Sequence, residues 1–194
     1  MTQNLNKDFW TDRYKEGTTQ WDIGHPSTPI KEFIDGLDNK ELSILMPGAG
    51  NAHEVEYLWK QGFKNVFVMD ISPLPLENFK ARNPDFPKDQ IILGDFFKLE
   101  KKFDLIIEQT FFCAINRDLR PAYAKKMSEV INPGGKLVGL LFASEFEKEG
   151  PPFGGTKDEY VKYFEPYFEI SMDLAINSIP KRMGNELWIE LIRK

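Results

Sequence analysis

The chain has 194 residues, the usual length of one folded domain. Hydrophobic residues make up 41% of it and charged residues 28%, a balance that excludes collagen-like, coiled-coil and disordered proteins. The 25 Lys and Arg residues against 30 Asp and Glu residues leave a net charge of −5, which argues against a nucleic-acid-binding module.

The cysteine content and the N-terminus bear on the cellular setting. The single cysteine, Cys113, excludes a disulfide framework within the chain and a zinc site built from cysteines alone. Met1 is not followed by a charged and then apolar leader, and no apolar run is long enough to span a membrane. We therefore expect one domain over residues 1–194, in the cytoplasm, with neither a membrane nor a nucleic acid as its partner.

Helices and strands alternate along the chain in the sequence pattern. Apolar spacing and helix start and stop residues predict helices over 30–37, 53–61, 74–82, 119–131 and 156–164. Short apolar runs predict strands over 43–46, 65–70, 90–95, 104–108, 136–142, 168–175 and 187–193. The central runs are nearly continuous in Val, Ile and Leu, which is typical of parallel strands covered on both faces.

The two strands at the C-terminal end break this alternation. No helix separates the runs 168–175 and 187–193, and the segment between them is too short for a parallel crossover, so the two must pair antiparallel. The sequence therefore predicts an α/β fold: a seven-stranded, mostly parallel sheet with helices on both faces and a C-terminal antiparallel β-hairpin.

A glycine loop and two acidic residues follow the first three predicted strands. Gly48 and Gly50 let the backbone approach a ligand closely, although a plain tight turn is the alternative interpretation of such a short motif. Asp70 ends the second strand, where a carboxylate accepts both hydroxyls of a ribose. Asp95 ends the third strand beside Phe96, where an acid accepts from an adenine amino group while a ring packs on the base. These features predict an adenosine site at one edge of the sheet.

Other nucleotide sites fit the glycine loop less well. A P-loop is excluded because no Gly-Lys-Ser/Thr follows the glycines. A nicotinamide dinucleotide site has a small residue where this chain has His53, and it does not call for the C-terminal hairpin. We interpret the pocket as one for an adenosine that carries an amino-acid tail rather than phosphates.

Several motifs extend this interpretation over most of the chain. These motifs are Phe9–Asp22, Leu45–Gly48, Gly94–Phe97, Phe103–Ile106, Gln109–Ile115 and Gly150–Phe153. With them the sequence resembles the class I S-adenosylmethionine-dependent methyltransferases, and among them the thiopurine methyltransferase superfamily and its plant-type halide and thiol methyltransferase branch.

The resemblance implies a Rossmann-like sheet, S-adenosyl-L-methionine as cofactor and a small-molecule nucleophile as methyl acceptor: a thiol or thiolate, a halide, thiocyanate or a thiopurine-like compound. It also implies that residues 1–29 cover a cofactor bound to the core of residues 30–194. The expected cofactor-binding residues are Trp10, Tyr14, Trp21, Gly48, Gly50, Asp70, Ile71, Asp95, Phe96 and Gln109. The expected acceptor pocket consists of Phe111, Phe112 and Phe153.

No residue is expected to act as a general base, and no metal is expected. His25 and His53 are the only histidines and show no metal-ligand spacing, and Cys113 is interpreted as a small core residue. Two alternatives remain open at this stage: a methyltransferase directed at oxygen or nitrogen, and a protein that binds an adenosyl cofactor without turnover. We expect a monomer.

Overall fold

The structure, a computed structural model, describes residues 3–148 and 150–194. Those residues contain six α-helices and seven β-strands. The helices are α1 (Lys7–Lys15), α2 (Thr28–Asp35), α3 (His53–Lys60), α4 (Pro73–Arg82), α5 (Arg120–Val130) and α6 (Lys157–Phe164). The strands are β1 (Ile44–Pro47), β2 (Val66–Asp70), β3 (Ile91–Leu93), β4 (Phe103–Gln109), β5 (Ile131–Phe142), β6 (Phe168–Leu174) and β7 (Glu186–Arg193). None of these helices is long and apolar enough to cross a membrane.

All seven strands belong to one sheet, in the order β3-β2-β1-β4-β5-β7-β6. Neighbouring strands from β3 to β5 are parallel, whereas β7 lies antiparallel between β5 and β6. This confirms the predicted mostly parallel sheet and its C-terminal hairpin. The strand order reverses between β1 and β4, and open α/β sheets bind their ligands outside the carboxyl ends of the strands at such a point.

The sheet separates two hydrophobic layers because alternate residues of a strand face opposite sides. Leu45 and Ile106 pack on the side that α5 and α6 cover. Ile44 and Leu105, their neighbours along the same strands, pack on the side that α2, α3 and α4 cover. The nearly continuous apolar runs of the central strands therefore reflect burial on both faces.

One helix lies outside the predicted set. The N-terminal helix α1 has no buried residue, and its sequence carries no apolar repeat that would have predicted it. Asn6 caps it by accepting a hydrogen bond from the backbone N–H of Phe9 at 3.0 Å. The segment predicted only as a cover for the core is thus partly helical.

Two strand ends also differ from the prediction. The residues between the predicted helix over 119–131 and the predicted strand over 136–142 belong to β5, which starts at Ile131, directly after α5. Ile131 pairs with Phe103 and Lys136 pairs with Leu105, so the intervening residues are accommodated by a shift of register within the strand. At the other edge, β3 ends at Leu93, so Asp95 follows that strand instead of ending it.

Candidate active site

A cavity of about 700 Å³ opens at the carboxyl ends of the parallel strands. Its volume lies in the range of small-molecule and cofactor sites. Every residue predicted to contact a cofactor lines it, as does Phe111 from the predicted acceptor pocket. The sequence-predicted residues that the fold brings together are Trp10, Tyr14, Trp21, Gly48, Gly50, Asp70, Ile71, Asp95, Phe96, Gln109 and Phe111.

The glycine loop after β1 is in contact with an aromatic ring on each side. Gly48 and Gly50 have φ values of +57° and +55°, a region that only glycine adopts without strain. A Cβ atom on Gly48 would overlap the ring of Phe111, and one on Gly50 would lie 2.6 Å from the hydroxyl oxygen of Tyr14. Both glycines are therefore required by backbone conformation and by close approach.

Asp70 holds this loop in place from the end of β2. Its Oδ2 accepts a hydrogen bond from the N–H of Gly50 at 2.9 Å, and its Oδ1 accepts one from the N–H of Ser72 at 2.8 Å. Burial raises the pKa of the Asp70 carboxyl, and the backbone N–H groups oppose that rise. Each carboxylate oxygen has a second lone pair for a further donor. Asp70 thus orients the loop and still faces the cavity.

Three aromatic residues of the N-terminal segment form one wall of the cavity. The ring of Trp21 packs edge-on against Trp10, with 5.6 Å between ring centres, and against Tyr14, with 5.8 Å between ring centres. The indole N–H of Trp21 donates to the Tyr14 hydroxyl at 3.4 Å. Edge-to-face rings of this kind stabilise one another and form a largely apolar surface.

Asp22 ties the N-terminal segment to the start of α3, a role that sequence reasoning missed. Its carboxylate contacts Nε2 of His53 at 2.8 Å and accepts hydrogen bonds from the Asn51 side chain and from the N–H of Gly24. The hydrogen bond with His53 contributes most to a pKa of Asp22 well below its usual range. Its partners lie 29 and 31 residues away along the chain, so no local pattern indicates the cluster.

The end of β4 presents a polar side chain to the cavity. Gln109, its last residue, is buried, and its Oε1 has no hydrogen-bond partner among the described residues. The next residue, Thr110, has a φ of +59°, which is uncommon for a residue other than glycine. An unpartnered buried amide beside a strained backbone is a feature that functional sites favour.

Glu108, the residue before Gln109, organises the turn that follows β4. One carboxylate oxygen accepts from the N–H groups of Phe111 and Phe112 at 2.8 and 2.9 Å, and the other accepts from the hydroxyl of Tyr123. Burial raises the pKa of the Glu108 carboxyl to about 7. Sequence reasoning placed Glu108 in the strand but assigned it no role, although a carboxylate at the end of an apolar run is the signal that marks it.

Phe112 and Phe153 do not line the cavity, contrary to the predicted acceptor pocket. Phe111 and Phe112 occupy successive positions of a tight turn, so their side chains point to different sides. The ring of Phe112 is only 1% exposed and packs in the core against Tyr123 at 5.0 Å between ring centres. From the segment that contains Phe153, the cavity is lined instead by Pro151 and Pro152.

One end of the cavity is formed by the turn after β4 and by residues that come later in the chain. This end is largely apolar and has a cation beside it. Cys113 lines it with a buried thiol that donates to the carbonyl oxygen of Thr110 at 3.3 Å, and burial raises the pKa of that thiol to about 12. Arg182, which also lines the cavity, donates to Glu186 and to the carbonyl oxygen of Trp21, both at 3.3 Å. The other residues of this end are the apolar Ala114, Ile115, Leu119, Phe142 and Phe146 and the polar Asn116, Lys181 and Asn185.

Comparison with known proteins places this fold and cavity in a family. The family model described as thiopurine S-methyltransferase matches residues 5–186. A probable thiol methyltransferase 2 of Arabidopsis thaliana is 31% identical over 162 residues, which cover 81% of this chain and 71% of that protein. Thiocyanate methyltransferase 1 of Brassica oleracea is 28% identical over 193 residues, covering 96% of this chain and 85% of the relative.

Solved structures show the same fold. A TehB-like SAM-dependent methyltransferase from Corynebacterium glutamicum superposes with a TM-score of 0.69 at 19% sequence identity, covering 97% of this chain and 98% of that one. The family match extends from the N-terminal aromatic segment to the first residue of β7 and so includes all the residues that line the cavity except Asn4. The chain belongs to the thiopurine S-methyltransferase family and is an S-adenosylmethionine-dependent methyltransferase.

Proposed function

We propose that the chain transfers the methyl group of S-adenosyl-L-methionine to a small, soft nucleophile: a thiol or thiolate, a halide, thiocyanate or a thiopurine-like compound. The observation that carries this proposal is the contrast between the two ends of the cavity. Hydrogen-bonding groups follow β2, β3 and β4, whereas the far end combines apolar side chains with the cations Lys181 and Arg182 and the side-chain amides of Asn116 and Asn185. An end that is apolar in large part and positively charged favours a polarisable anion over a strongly hydrated acceptor.

The polar end of the cavity offers a role for each predicted cofactor-binding side chain in holding S-adenosylmethionine. Asp70 would accept from the ribose hydroxyls, because its oxygens have lone pairs beyond those used by the loop. Asp95, whose Oδ1 already accepts from the N–H of Phe97, would accept from the adenine amino group, with Phe96 packed nearby. Gln109, which lines the cavity at the end of β4, would lie beside the amino-acid tail.

The aromatic wall has two tasks in this mechanism. Trp10, Tyr14 and Trp21 line the cavity opposite the sheet and exclude water from it. Removing water strips the acceptor of its hydration, which favours attack by a thiolate or a halide. The ring faces also attract a cation such as a sulfonium.

When bound, S-adenosylmethionine supplies a methyl group on a sulfonium, which is already an excellent leaving group. The protein therefore needs mainly to hold the acceptor in line with the carbon–sulfur bond that breaks. Positioning of this kind supplies roughly 7–11 kcal/mol of a barrier. Arg182 would keep an anionic acceptor at the apolar end until transfer.

The histidines and the cysteine are poorly placed to act as a general base. The Nε2 of His53 is engaged by Asp22, and His25 is exposed with its Nδ1 2.8 Å from the carbonyl oxygen of Pro26. Cys113 is held as a thiol by its raised pKa. A halide or a thiolate needs no deprotonation by the enzyme, which is consistent with this arrangement.

A panel of acceptors tests the proposal. The purified chain is incubated with S-adenosylmethionine and, separately, with bisulfide, thiocyanate, iodide, an aromatic thiol and a thiopurine, and the methylated products are identified by mass spectrometry. Methylation of sulfur or halide acceptors, lost together with cofactor binding in Asp70→Ala, supports the proposal. Methylation only at the nitrogen atoms of thiocyanate or the thiopurine contradicts it, as does cofactor binding without turnover.

A further inference from the structure

A charged residue with no exposed surface stands behind the apolar end of the cavity. Arg120, the first residue of α5, is 0% exposed and does not line the cavity. Its Nη1 donates to Glu159 of α6 at 2.9 Å. Burying a guanidinium is costly unless it is paired and hydrogen-bonded, so its other contacts indicate what the burial achieves.

The remaining hydrogen bonds of Arg120 go to one short segment, residues 150–155. Its Nη2 donates to the carbonyl oxygen of Phe153 at 3.2 Å and to that of Gly154 at 2.9 Å. The guanidinium also lies over the ring of Phe112, 4.8 Å from its centre. The two terminal nitrogens of the planar guanidinium thus serve different partners, Nη1 the carboxylate of Glu159 and Nη2 the two carbonyl oxygens, and a lysine ammonium, with a single nitrogen, does not present donors in this arrangement.

The segment that Arg120 holds forms part of the cavity wall. Pro151 and Pro152, directly before the two bound carbonyls, line the cavity together with Cys113. The N–H of Phe153 donates to the carbonyl oxygen of Cys113 at 2.7 Å, and the N–H of Gly155 donates to that of Ser144 at 3.0 Å. The segment is therefore held against the turn after β4, and Arg120 fixes it from the side opposite the cavity.

We propose that Arg120 is a positioning residue for methyl transfer: through the carbonyl oxygens of Phe153 and Gly154 it holds Pro151 and Pro152 as the wall against which the acceptor packs. This inference rests on the proposed function for the identity of the acceptor. It predicts that loss of the hydrogen bonds from the Arg120 guanidinium weakens acceptor binding and leaves cofactor binding unchanged. It also predicts that a large acceptor suffers more than a small one, because only a large one reaches this wall.

Arg120→Lys tests the inference with the charge retained and the fork removed. Lys125→Met on the same helix is the control, because Lys125 is exposed and far less constrained. Loss of a hydrogen bond from a charged donor corresponds to a factor of about ten or more, so we expect KM for an aromatic thiol to rise about tenfold. We expect kcat, KM for thiocyanate and the affinity for S-adenosylhomocysteine to stay close to those of the parent chain.

Hydrogen exchange gives a readout that does not depend on activity. In Arg120→Lys the amides of Phe153 and Gly155 should exchange about tenfold faster than in the parent chain, while amides of β4 and β5 keep their protection. Glu159→Gln, which leaves the bonds from Arg120 to the carbonyls available, should have the smaller effect on those two amides.

The outcomes separate this inference from the proposed function. Unchanged exchange at Phe153 and Gly155 overturns it, and so does equal loss of protection throughout the sheet, which indicates a merely structural residue. A rise in KM that is equal for thiocyanate and the aromatic thiol also overturns it. If the parent chain methylates no member of the acceptor panel, the proposed function fails, and the exchange experiment still decides whether Arg120 holds the segment.

Discussion

Replacement of Gly50 by alanine tests the contact between the glycine loop and the N-terminal aromatic wall. Gly50 has a φ of +55°, and an added Cβ would lie 2.6 Å from the Tyr14 hydroxyl oxygen but 3.8 Å from Cζ of the same ring. The left-handed conformation costs a residue with a side chain about 1–2 kcal/mol. Overlap of this kind adds about 1–3 kcal/mol where the neighbours must shift.

The two costs should appear in different measurements. The backbone strain belongs to the loop and should lower the free energy of unfolding by about 1–2 kcal/mol, measured by urea denaturation. Tyr14 belongs to a segment outside the sheet, so we expect the overlap to be relieved by displacing that segment from the loop. The overlap should then lower the affinity for S-adenosylhomocysteine by a factor of about 5 to 150, measured by calorimetry.

Two further variants separate strain from overlap. Gly62→Ala is the matched control, since Gly62 has a φ of +92° and an added Cβ there would meet no atom within 4 Å. It should cost stability without changing the affinity for S-adenosylhomocysteine. In Gly50→Ala combined with Tyr14→Phe, the hydroxyl is gone and the affinity should return to that of Tyr14→Phe alone. If the double variant binds no better than Gly50→Ala, Tyr14 does not lie on the loop as described.

Three other perturbations test the site. Asp70→Ala removes the acceptor of two backbone N–H groups and should weaken S-adenosylhomocysteine binding by about 2 kcal/mol, or roughly 30-fold, in calorimetry; unchanged affinity would remove Asp70 from the site. The lowered pKa of Asp22 means that its contribution to stability is present above its unfolded pKa and is lost as the pH falls. The difference in unfolding free energy between the parent chain and Asp22→Asn should therefore be largest near neutrality and shrink below about pH 4, whereas an equal difference at both ends would contradict the assignment. The pH dependence of turnover should follow the acceptor: with thiols the rising limb moves with the pKa of the thiol, and with thiocyanate the rate is nearly flat from neutrality upwards. A rising limb that lies at the same pH for every acceptor, and that His25→Ala or His53→Ala abolishes, would indicate that a residue of the enzyme acts as a general base.

The polar end of the cavity was predictable because its signals are local. Gly48, Gly50 and Asp70 each stand at the end of an apolar run, and parallel strands bring such ends to one edge. Asp95 was predicted to end its strand and lies just beyond it, yet the side chain still reaches the cavity. A shift of two residues matters little where the backbone turns at the edge of the sheet.

The sequence could not predict which of two neighbouring residues of the same type faces the cavity and which faces the core. Nothing in the pair Phe111 and Phe112 distinguishes the ring that faces the cavity from the ring in the core, because the turn between them is set by Glu108. Asp22 and Arg120 have side-chain partners 29 or more residues away, so their roles depend on the fold and not on spacing. Helix α1 has no buried face to produce a pattern.

The apolar end of the cavity differs from the polar end in how the chain assembles it. The glycine loop and the ends of β2, β3 and β4 belong to consecutive strand-and-turn units of the sheet. The apolar end combines the turn after β4 with Phe146, the Pro151–Pro152 pair and Arg182, and the prolines are held from behind by Arg120. Under the proposed function, substitutions at the apolar end would change the acceptor pocket while Asp70 and the glycine loop stay in place. One fold would then serve the different acceptors that the names of the family and of its members give, namely thiols, thiocyanate and thiopurines.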